Sequence, residues 1–409
     1  MKCRFCGHTL EKVFIDLINA PPSNSYLTKE QLNEPEVYFP LRVFFCEHCW
    51  LVQIDEYKKS DEIFSEDYAY FSSYSKSWVK HAEDYVEMIC KRLSLDRSSR
   101  VMEIASNDGY LLQFFVAKGI PCFGVEPSAG TAEAAEIKGI ESIIDFFGSN
   151  LADRIVKERG KQDLVIGNNV LAHVPDINDF VGSLKTVLSD AGTITMEFPH
   201  LLRLIQYNQF DTIYHEHFSY LSLNTVENIF LAHGLKIYDV EELPTHGGSL
   251  RIYASHVNDD SHDVTSEVES IKGKEKEFGL LDSKIYDSFQ KKADTVKNSF
   301  LSFLLEQKRM GKKIVAYGAA AKGNTLLNYC GIKGTDLIEF VVDASPHKRG
   351  KYLPGSHIPI VPEQMISDDK PDIIVVLPWN IKEEITTQLS YVTNWNCQFL
   401  VAVPKLELI

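Results

Sequence analysis

The sequence lacks any uninterrupted apolar run of about 18 residues, the length that marks a candidate transmembrane helix. It opens with Met1-Lys2-Cys3-Arg4-Phe5-Cys6, without the apolar segment and small-residue cleavage site of a secretion signal. These two absences argue against insertion in a membrane and against export. The sequence therefore predicts a cytoplasmic protein with no membrane partner.

Basic residues are also in short supply, with 42 Lys and Arg against 57 Asp and Glu and a formal net charge of −15. No diffuse positive field attracts a phosphate backbone, so nucleic acid is not an expected partner. An anionic small molecule stays open as a ligand, because a few local cations or helix-terminal N–H groups suffice to hold a phosphate. At roughly 150 residues per domain, the 409 residues predict two or three domains.

Half of the eight cysteines form two Cys-x-x-Cys pairs, and the other four are scattered singly. The pairs are Cys3 with Cys6 and Cys46 with Cys49, and each can direct two sulfurs at one point. In a reducing compartment this pattern favours a metal over disulfides, and a redox pair is the weaker alternative. We predict one structural zinc ion bound by these four thiolates, which stabilises a small N-terminal segment.

A doubly wound sheet is predicted from about residue 100 onward. The strand 100–105 runs into the small-residue turn Ser106-Asn107-Asp108-Gly109 and then a helix over 110–118. The next strand, 122–125, ends in Glu126, where a carboxylate can accept both ribose hydroxyls of an adenosine. A nicotinamide cofactor uses a similar acid, but the turn lacks the G-x-G-x-x-G fingerprint.

Two further elements complete the pattern: one that ends at Asp145-Phe146, and a strand over 163–167 that runs into Asn168-Asn169. The order of these elements resembles that of class I S-adenosylmethionine-dependent methyltransferases. Phe146 has an alternative interpretation as plain core, and the aromatic segment 68–75 is either a lid or a packed linker. The residues predicted to bind S-adenosylmethionine are Tyr70, Ser72, Glu103, Ala105, Asn107, Gly109, Glu126, Pro127, Asp145, Phe146, Asn168 and Asn169.

Catalytic chemistry is expected in the segment 211–222, where Tyr214, His215, Glu216 and His217 are consecutive. They supply several donors, acceptors and titratable groups within one turn of chain. The His-x-His spacing leaves a metal site open as an alternative, and a solvated loop is another. His173, in Val170-Leu171-Ala172-His173-Val174-Pro175, is either a further active-site residue or a histidine that only satisfies a backbone carbonyl.

Two later segments are candidates for binding a substrate. The first, Thr245-His246-Gly247-Gly248-Ser249, forms either an anion-binding nest of N–H groups or a simple tight hairpin. The second follows the connecting helices of 258–313, where the strand 313–318 enters an Ala-rich turn and a helix of a second βαβ domain. Lys322 and Asn324 there could hold a phosphate, although such a turn often reports only tight packing.

The chain as a whole resembles the sugar C-methyltransferases of deoxysugar biosynthesis, which act on nucleotide-linked 4-keto sugars. The motifs that carry the resemblance are the four N-terminal cysteines, E-I-A-S-N-D-G, N-V-L-A-H-V-P-D, Y-H-E-H-F-S-Y-L-S, T-H-G-G-S-L-R and Y-G-A-A-A-K-G-N-T-L-L-N. The implied fold is α/β, with a zinc-binding domain over 1–75, a class I methyltransferase (Rossmann-like) domain over 76–257, and connecting helices with a C-terminal Rossmann-like domain over 258–409.

The resemblance implies methyl transfer to a ring carbon next to the keto group, through an enolate formed by His217 as the base. Tyr214, His215, Glu216 and His173 assist, and His246 to Ser249 with Lys322 and Asn324 hold the nucleotide sugar. Ala105 departs from the pattern, because methyltransferases favour glycine there. The alternatives are an O- or N-methyltransferase, a nicotinamide-dependent oxidoreductase built on the C-terminal domain, and a nucleotide-binding scaffold without activity.

Overall fold

The computed structural model describes residues 1–59, 62 and 71–409, so the predicted cofactor residue Tyr70 lies outside the described residues. The strands are β1 (Lys12–Ala20), β2 (Phe39–Phe45), β3 (Val52–Ile54), β4 (Val101–Ile104), β5 (Cys122–Val125), β6 (Ser142–Ile143), β7 (Gln162–Asn168), β8 (Leu188–Pro199), β9 (Ser219–Tyr220), β10 (Leu235–Leu243), β11 (Ser249–His256), β12 (Ile314–Tyr317), β13 (Val341–Val342), β14 (Ile360–Val361), β15 (Ile373–Val376), β16 (Gln398–Val401) and β17 (Glu407–Leu408).

The helices are α1 (Lys76–Arg92), α2 (Leu112–Ala117), α3 (Ala129–Ile137), α4 (Ser149–Arg159), α5 (Ile177–Val187), α6 (Leu201–Gln206), α7 (Leu223–Ala232), α8 (Ser266–Phe278), α9 (Ser283–Asp287), α10 (Phe289–Arg309), α11 (Ala321–Tyr329), α12 (Gln364–Asp369) and α13 (Lys382–Gln388). In the part of the chain that the structure describes, none of them is long and apolar enough to cross a membrane.

The chain forms two compact units, and neither is continuous in sequence. The first unit contains Met1–Glu11, Phe45–Leu201 and Phe218–Leu281. The second unit contains Lys12–Phe44, Leu202–His217 and Asp282–Ile409. The consecutive domain boundaries at 75 and 257 remain predictions.

The first unit is built on a seven-stranded sheet with the order β10-β11-β8-β7-β4-β5-β6. The strands from β8 to β6 are parallel, whereas β11 pairs antiparallel with both β8 and β10. The four residues of β4 are buried, as expected of a central strand covered on both faces. This doubly wound sheet confirms the predicted Rossmann-like methyltransferase fold.

The turn that follows β4 has an unusual backbone. Ala105, Asn107 and Gly109 all have positive φ angles, of 57°, 51° and 72°. Ala105 therefore adopts the left-handed conformation for which glycine is favoured, at a steric cost of about 1–2 kcal/mol. A Cβ added at Gly109 would lie 2.4 Å from Ile140 Cδ1, so this position also requires glycine for close packing.

The second unit is built on a sheet with the order β14-β13-β12-β15-β16-β17, in which only β17 is antiparallel. The predicted second βαβ domain is thus present, and β12, α11 and β13 form its first βαβ unit. In the predicted connecting region the structure has α8, α9 and α10. The segment Thr245–Gly247 is a 3₁₀ turn that joins the antiparallel pair β10 and β11, so the predicted hairpin forms.

Candidate active site

A cavity of about 300 Å³ lies in the first unit at the carboxyl ends of the parallel strands. In open α/β sheets this edge is where ligands bind. The residues that line the cavity are Ser72, Trp78, Ile104, Ala105, Asn107, Tyr110, Val125, Glu126, Pro127, Asp145, Phe146, Phe147, Asn168, Asn169, Val170, His173, Val174, Pro175, Asp176, Asp179, Phe180 and His246.

Most of the residues predicted to bind the cofactor meet at this cavity. The structure places nine of them in its lining: Ser72, Ala105, Asn107, Glu126, Pro127, Asp145, Phe146, Asn168 and Asn169. Glu103 and Gly109 do not line it. Glu103 is fully buried, and its burial, followed by the charges of Glu126 and Asp108, holds its pKa well above the usual range. Gly109 contributes to the shape of the turn.

Glu126 extends the end of β5 into the cavity and is 5% exposed. Its Oε2 accepts a hydrogen bond from Asn107 N at 2.9 Å, and its Oε1 accepts one from Ser128 N at 3.0 Å. Each carboxylate oxygen has a second lone pair, which is available to a ligand hydroxyl. Burial raises the pKa of Glu126, against the opposing effect of these backbone donors.

Asn168, at the end of β7, provides the clearest sign that the cavity holds a ligand. Its side-chain oxygen and nitrogen are both buried, and neither has a hydrogen-bond partner among the described residues. A buried amide without partners costs about 1–3 kcal/mol, so a ligand that supplies them is favoured. The neighbouring Asn169 has a φ of 55°, and its Oδ1 is likewise buried without a partner.

Asp145 and Phe146 form a more exposed wall. Asp145 Oδ1 accepts a hydrogen bond from Phe146 N at 2.9 Å, and Asp145 Oδ2 lies 3.2 Å from Arg154 Nη2. The Phe146 ring is 43% exposed, so it is not the plain core residue of the alternative interpretation. An acid beside an exposed aromatic face fits an adenine, because the carboxylate can accept a hydrogen bond from the adenine amine and the ring can pack against the base.

Trp78, in the first turn of α1, lines the cavity but was not predicted from the sequence. Its ring lies 4.9 Å from that of His246 and 5.0 Å from that of His81, between centroids. His246 therefore lines the cavity predicted for the cofactor, with its backbone at a φ of 53°. One sequence signal could have pointed to Trp78, because it is an aromatic residue three positions after the helix-capping residue Ser75. The Ser75 side chain caps α1 by accepting a hydrogen bond from Trp78 N.

A buried ionic network connects α1 to the turn that carries His246. Glu197 Oε2 lies 2.8 Å from both His81 Nε2 and Arg251 Nη2, and Glu197 Oε1 accepts from Thr245 Oγ1 at 2.8 Å. Although burial opposes ionisation, these partners lower the pKa of Glu197 to about 2. Sequence reasoning missed this network, because its members come from four separate elements.

The four predicted zinc ligands meet at one point in the first unit. The sulfur atoms of Cys3, Cys6, Cys46 and Cys49 lie within 4.8 Å of one another, and the Cys3–Cys49 and Cys6–Cys46 distances are 3.5 and 3.6 Å. Tetrahedral Zn–S bonds of about 2.3 Å imply sulfur separations of about 3.8 Å, so the cluster fits a zinc ion. The neighbouring Cys49 lowers the pKa of Cys3 to about 4, which favours the thiolate form.

The predicted catalytic segment lies in the second unit, where Tyr214 and His217 contact each other. Tyr214 Oη and His217 Nε2 are 2.9 Å apart, and His217 Nδ1 is 2.8 Å from Thr212 O. A carbonyl oxygen only accepts, so in the neutral ring Nδ1 carries the proton. Nε2 is then the basic nitrogen, and it accepts a hydrogen bond from the Tyr214 hydroxyl.

The two residues between them have different surroundings. Glu216 is 3% exposed, and its Oε1 accepts from Asn24 Nδ2 at 2.7 Å. His215 is 4% exposed, and its Nε2 donates to Pro40 O at 3.2 Å, while Phe39 packs edge-on against its ring. One of the two ring nitrogens of His215 is therefore engaged with the backbone.

The residues predicted to bind the substrate are divided between the two units. In the first unit, Ser249 is buried and its Oγ donates to Thr245 O, while Gly247 and Gly248 lie in the same tight turn. In the second unit, Lys322 Nζ donates to Asn380 Oδ1 at 2.7 Å and lies 4.8 Å from the centre of the Trp379 ring. Burial lowers the pKa of Lys322.

Asn324 is 1% exposed, and its Nδ2 has no hydrogen-bond partner among the described residues. The next residue along the chain is Thr325, and its Oγ1 donates to Ile213 O at 2.9 Å. Asp211, whose Oδ2 accepts from Trp379 Nε1 at 2.7 Å, was missed by the sequence reasoning. Burial raises the pKa of Asp211 to about 6, although the charge of Lys322 opposes the shift.

Three family models match successive parts of the chain. Residues 3–64 match a model described as "Putative zinc binding domain", and residues 78–240 match a "Methyltransferase domain". Residues 244–404 match a "C-methyltransferase C-terminal domain". Together with the four-cysteine cluster, these matches confirm the predicted structural zinc, and the protein is an S-adenosylmethionine-dependent methyltransferase as predicted.

Two relatives and one solved structure illustrate the similarity. A ubiquinone biosynthesis O-methyltransferase of Rhodopseudomonas palustris (strain TIE-1) is 24% identical over 27% of this chain and 44% of its own length. A crystal structure of magnesium protoporphyrin IX methyltransferase from Synechocystis PCC 6803 with bound S-adenosylhomocysteine has a TM-score of 0.35 and 16% identity, over 44% of this chain and 82% of that chain.

The C-methyltransferase NovU of Streptomyces niveus is 32% identical over 408 residues, which are 100% of this chain and 96% of the relative. One alignment therefore spans the zinc ligands, the cavity and the Tyr214–His217 segment. The chain therefore belongs to the C-methyltransferase family, which confirms the sugar C-methyltransferase family predicted from its motifs.

Proposed function

We propose that the enzyme methylates a ring carbon next to the keto group of a nucleotide-linked 4-keto sugar, in deoxysugar biosynthesis. The observation that carries the proposal is the Tyr214–His217 pair, in which Thr212 fixes the ring tautomer and leaves Nε2 as the base. Methyl transfer to carbon requires such a base, whereas a hydroxyl or amine acceptor already has a lone pair.

S-adenosylmethionine supplies an electrophilic methyl group on its sulfonium sulfur. The cavity residues Glu126, Asp145 and Asn168 bind it, with Glu126 accepting from the ribose and Asp145 from the adenine amine. His173 lines the same cavity and contributes a polar group to its wall. These assignments use the lone pairs and the unsatisfied amide found in the cavity.

His217 Nε2 removes the proton from the carbon next to the carbonyl, and the electron pair moves to the carbonyl oxygen. The Tyr214 hydroxyl donates to this developing oxyanion, because it contacts the base and its partner Nε2 is then protonated and no longer accepts. Glu216 keeps its orientation through Asn24. The enolate carbon then forms the new C–C bond as the S–CH₃ bond breaks.

We assign binding of the nucleotide portion of the substrate to Lys322 and Asn324 of the second unit. Lys322 is half-buried beside Trp379, and the amide nitrogen of Asn324 has no partner within the described part of the chain. His246, Gly247, Gly248 and Ser249 of the first unit remain the other residues predicted to bind the substrate. His215 is engaged with Pro40, so we assign the oxyanion contact to Tyr214 rather than to His215.

The proposal is tested with a nucleotide-linked 4-keto-6-deoxyhexose and S-adenosylmethionine. We expect a product whose new methyl group is bonded to carbon by NMR and survives acid hydrolysis of the sugar. His217→Asn should lower the rate by about 10²- to 10⁴-fold, the usual contribution of a general base. Its affinity for S-adenosylhomocysteine should be unchanged, since the base is not part of the cofactor cavity.

His347→Asn is the matched control, because His347 is an exposed histidine of the same unit. Its rate should stay within about twofold of that of the wild type, on the scale of surface substitutions. A product with the methyl group on oxygen or nitrogen would contradict the proposal. Methylation by His217→Asn at the wild-type rate would place the base elsewhere.

A further inference from the structure

Arg4 lies between the first two zinc ligands, and its side chain reaches a wall of the cofactor cavity. Its Nη1 donates to Pro175 O at 2.6 Å, and its Nη2 donates to Ile54 O at 2.5 Å. Pro175 is one of the residues that line the cavity. The guanidinium also lies 5.4 Å from the centre of the Phe218 ring. One planar, charged group therefore connects three separate segments of the first unit.

The backbone of the same zinc knuckle is held by Asn178, in the first turn of α5. Asn178 Nδ2 donates to Arg4 O at 3.1 Å and to Phe5 O at 2.9 Å. Asn178 Oδ1 faces His233 Nε2 at 3.0 Å, which sets the orientation of the amide. The cavity wall Pro175–Asn178 is thus attached to the knuckle at both ends.

The position of Arg4 depends in turn on the zinc ligands. Arg4 N donates to Gln53 Oε1 at 2.9 Å, and Gln53 Nε2 donates to Cys3 Sγ at 3.2 Å. Gln53 is fully buried, so its amide has a defined orientation. Any rearrangement of the knuckle that accompanies loss of the metal therefore moves Arg4 and releases its hydrogen bond to Pro175.

We propose that Arg4 is a positioning residue that couples zinc binding to binding of the methyl donor. The proposal rests on the assignment of the cavity to S-adenosylmethionine. Zinc orders the knuckle, the knuckle holds Pro175 and Asn178, and these residues hold the cavity wall. Thermodynamic linkage makes the coupling reciprocal, so a ligand in the cavity strengthens zinc binding by the same factor.

The test measures zinc transfer from the purified holoenzyme to a chelator, with and without saturating S-adenosylhomocysteine. In the wild type, we expect S-adenosylhomocysteine to raise the zinc affinity by about 5- to 10-fold, at the low end of typical couplings between sites. In Arg4→Met, this effect should disappear, and calorimetry should show S-adenosylhomocysteine binding weakened by a similar factor. Elemental analysis should still give one zinc ion per chain.

Lys2→Met is the matched control, because it removes an exposed cation next to Cys3 and should leave the coupling unchanged. Asn178→Ala removes the other connection without changing the knuckle sequence, and it should reduce the coupling even if Arg4→Met fails to fold. Equal zinc affinity with and without bound S-adenosylhomocysteine in the wild type would overturn the proposal. Failure of the wild type to bind S-adenosylhomocysteine would instead overturn the assignment of the cavity.

Discussion

The two units contain the same structural element, a parallel strand followed by a tight turn and a helix, but the two turns have different surroundings. In the first unit the acid at the end of the adjacent strand, Glu126, lines a cavity and accepts hydrogen bonds from two backbone N–H groups. In the second unit the corresponding acid, Asp343, accepts from two equivalent backbone N–H groups but also contacts the side chain of Lys348. The comparison separates a ligand site from a structural contact within one fold.

Asp343 follows β13, where a dinucleotide-binding sheet places the acid that binds ribose. Its Oδ2 accepts from Ala319 N at 2.8 Å and lies 3.5 Å from Lys348 Nζ, and its Oδ1 accepts from Ser345 N at 2.8 Å. Tyr26 Oη also donates to Ala319 O, at 2.6 Å. The side chain of Lys348 thus contacts the carboxylate that would bind the ribose of a nicotinamide nucleotide, which argues against the oxidoreductase alternative.

The largest expected effect tests the first turn. Glu126→Gln keeps the shape of the side chain but replaces one acceptor with a donor and removes the charge. We expect S-adenosylhomocysteine to bind at least about 10-fold more weakly, because hydrogen bonds to a charged group contribute about 1.5–3 kcal/mol. Calorimetry measures the affinity, and Glu133→Gln, an exposed acid of α3, is the control. Equal affinities for wild type and Glu126→Gln would remove Glu126 from the site.

The same isosteric change in the second turn should lower stability without weakening cofactor binding. Asp343→Asn turns one acceptor of a backbone N–H into a donor, so we expect the free energy of unfolding to fall by about 1–3 kcal/mol. Affinity for S-adenosylhomocysteine should stay within about twofold of the wild-type value. Denaturant unfolding and calorimetry measure the two quantities. A loss of affinity comparable to that of Glu126→Gln would end the distinction between the two turns.

The pH dependence of cofactor binding gives a smaller, graded test. Burial raises the pKa of Glu126, so the folded apoprotein binds this proton more tightly than the unfolded chain does. The resulting stabilisation is complete below the unfolded pKa of about 4.3 and is lost as the pH rises through the raised pKa. A ligand that donates to the carboxylate favours the ionised form, so its affinity should increase over the same rise.

Calorimetric titrations of S-adenosylhomocysteine from pH 5 upward should therefore show affinity increasing with pH. The Glu126→Gln variant lacks the titrating group, and its affinity should vary less over this range. If the affinity of both proteins increases equally with pH, a group other than Glu126 causes the pH dependence.

The smallest expected effect concerns Ala105, which holds a left-handed conformation with a Cβ atom present. Ala105→Gly relieves this strain but increases the entropy of the unfolded chain, so we expect a net change of less than about 1 kcal/mol in stability. Denaturant unfolding should show a small stabilisation, with cofactor affinity unchanged. A loss of more than about 2 kcal/mol would show that the methyl group of Ala105 packs favourably.

The sequence could predict the parts of the site that are set by short motifs and strand order. Asn107, Glu126 and Asn168 each lie at or just after the end of a strand of the same sheet, and strand order brings these positions to one edge. The four cysteines are likewise predictable, because two Cys-x-x-Cys pairs satisfy one tetrahedral ion. In these cases a local pattern and a rule of fold geometry together determine the contact.

Other contacts depend on side-chain packing between distant segments, for which the sequence has no local signal. Trp78 reaches the cavity only because α1 packs beside the turn that carries His246. Tyr26 reaches Ala319 across most of the chain. Ala105 is recognisable in the sequence as a departure from the family pattern, but only the backbone angles show that it adopts a left-handed conformation.

The discontinuous course of the two units has a consequence for how the protein is made. Cys3 and Cys6 leave the ribosome before the strand-forming segment Lys12–Phe44, yet their partner ligands Cys46 and Cys49 come after it. The first unit is complete only when Leu281 has been synthesised, and the second only at Ile409. At about 5–20 residues per second, the nascent chain therefore spends many seconds with both cores unfinished, and we expect its yield to depend on chaperones and on zinc supply during translation.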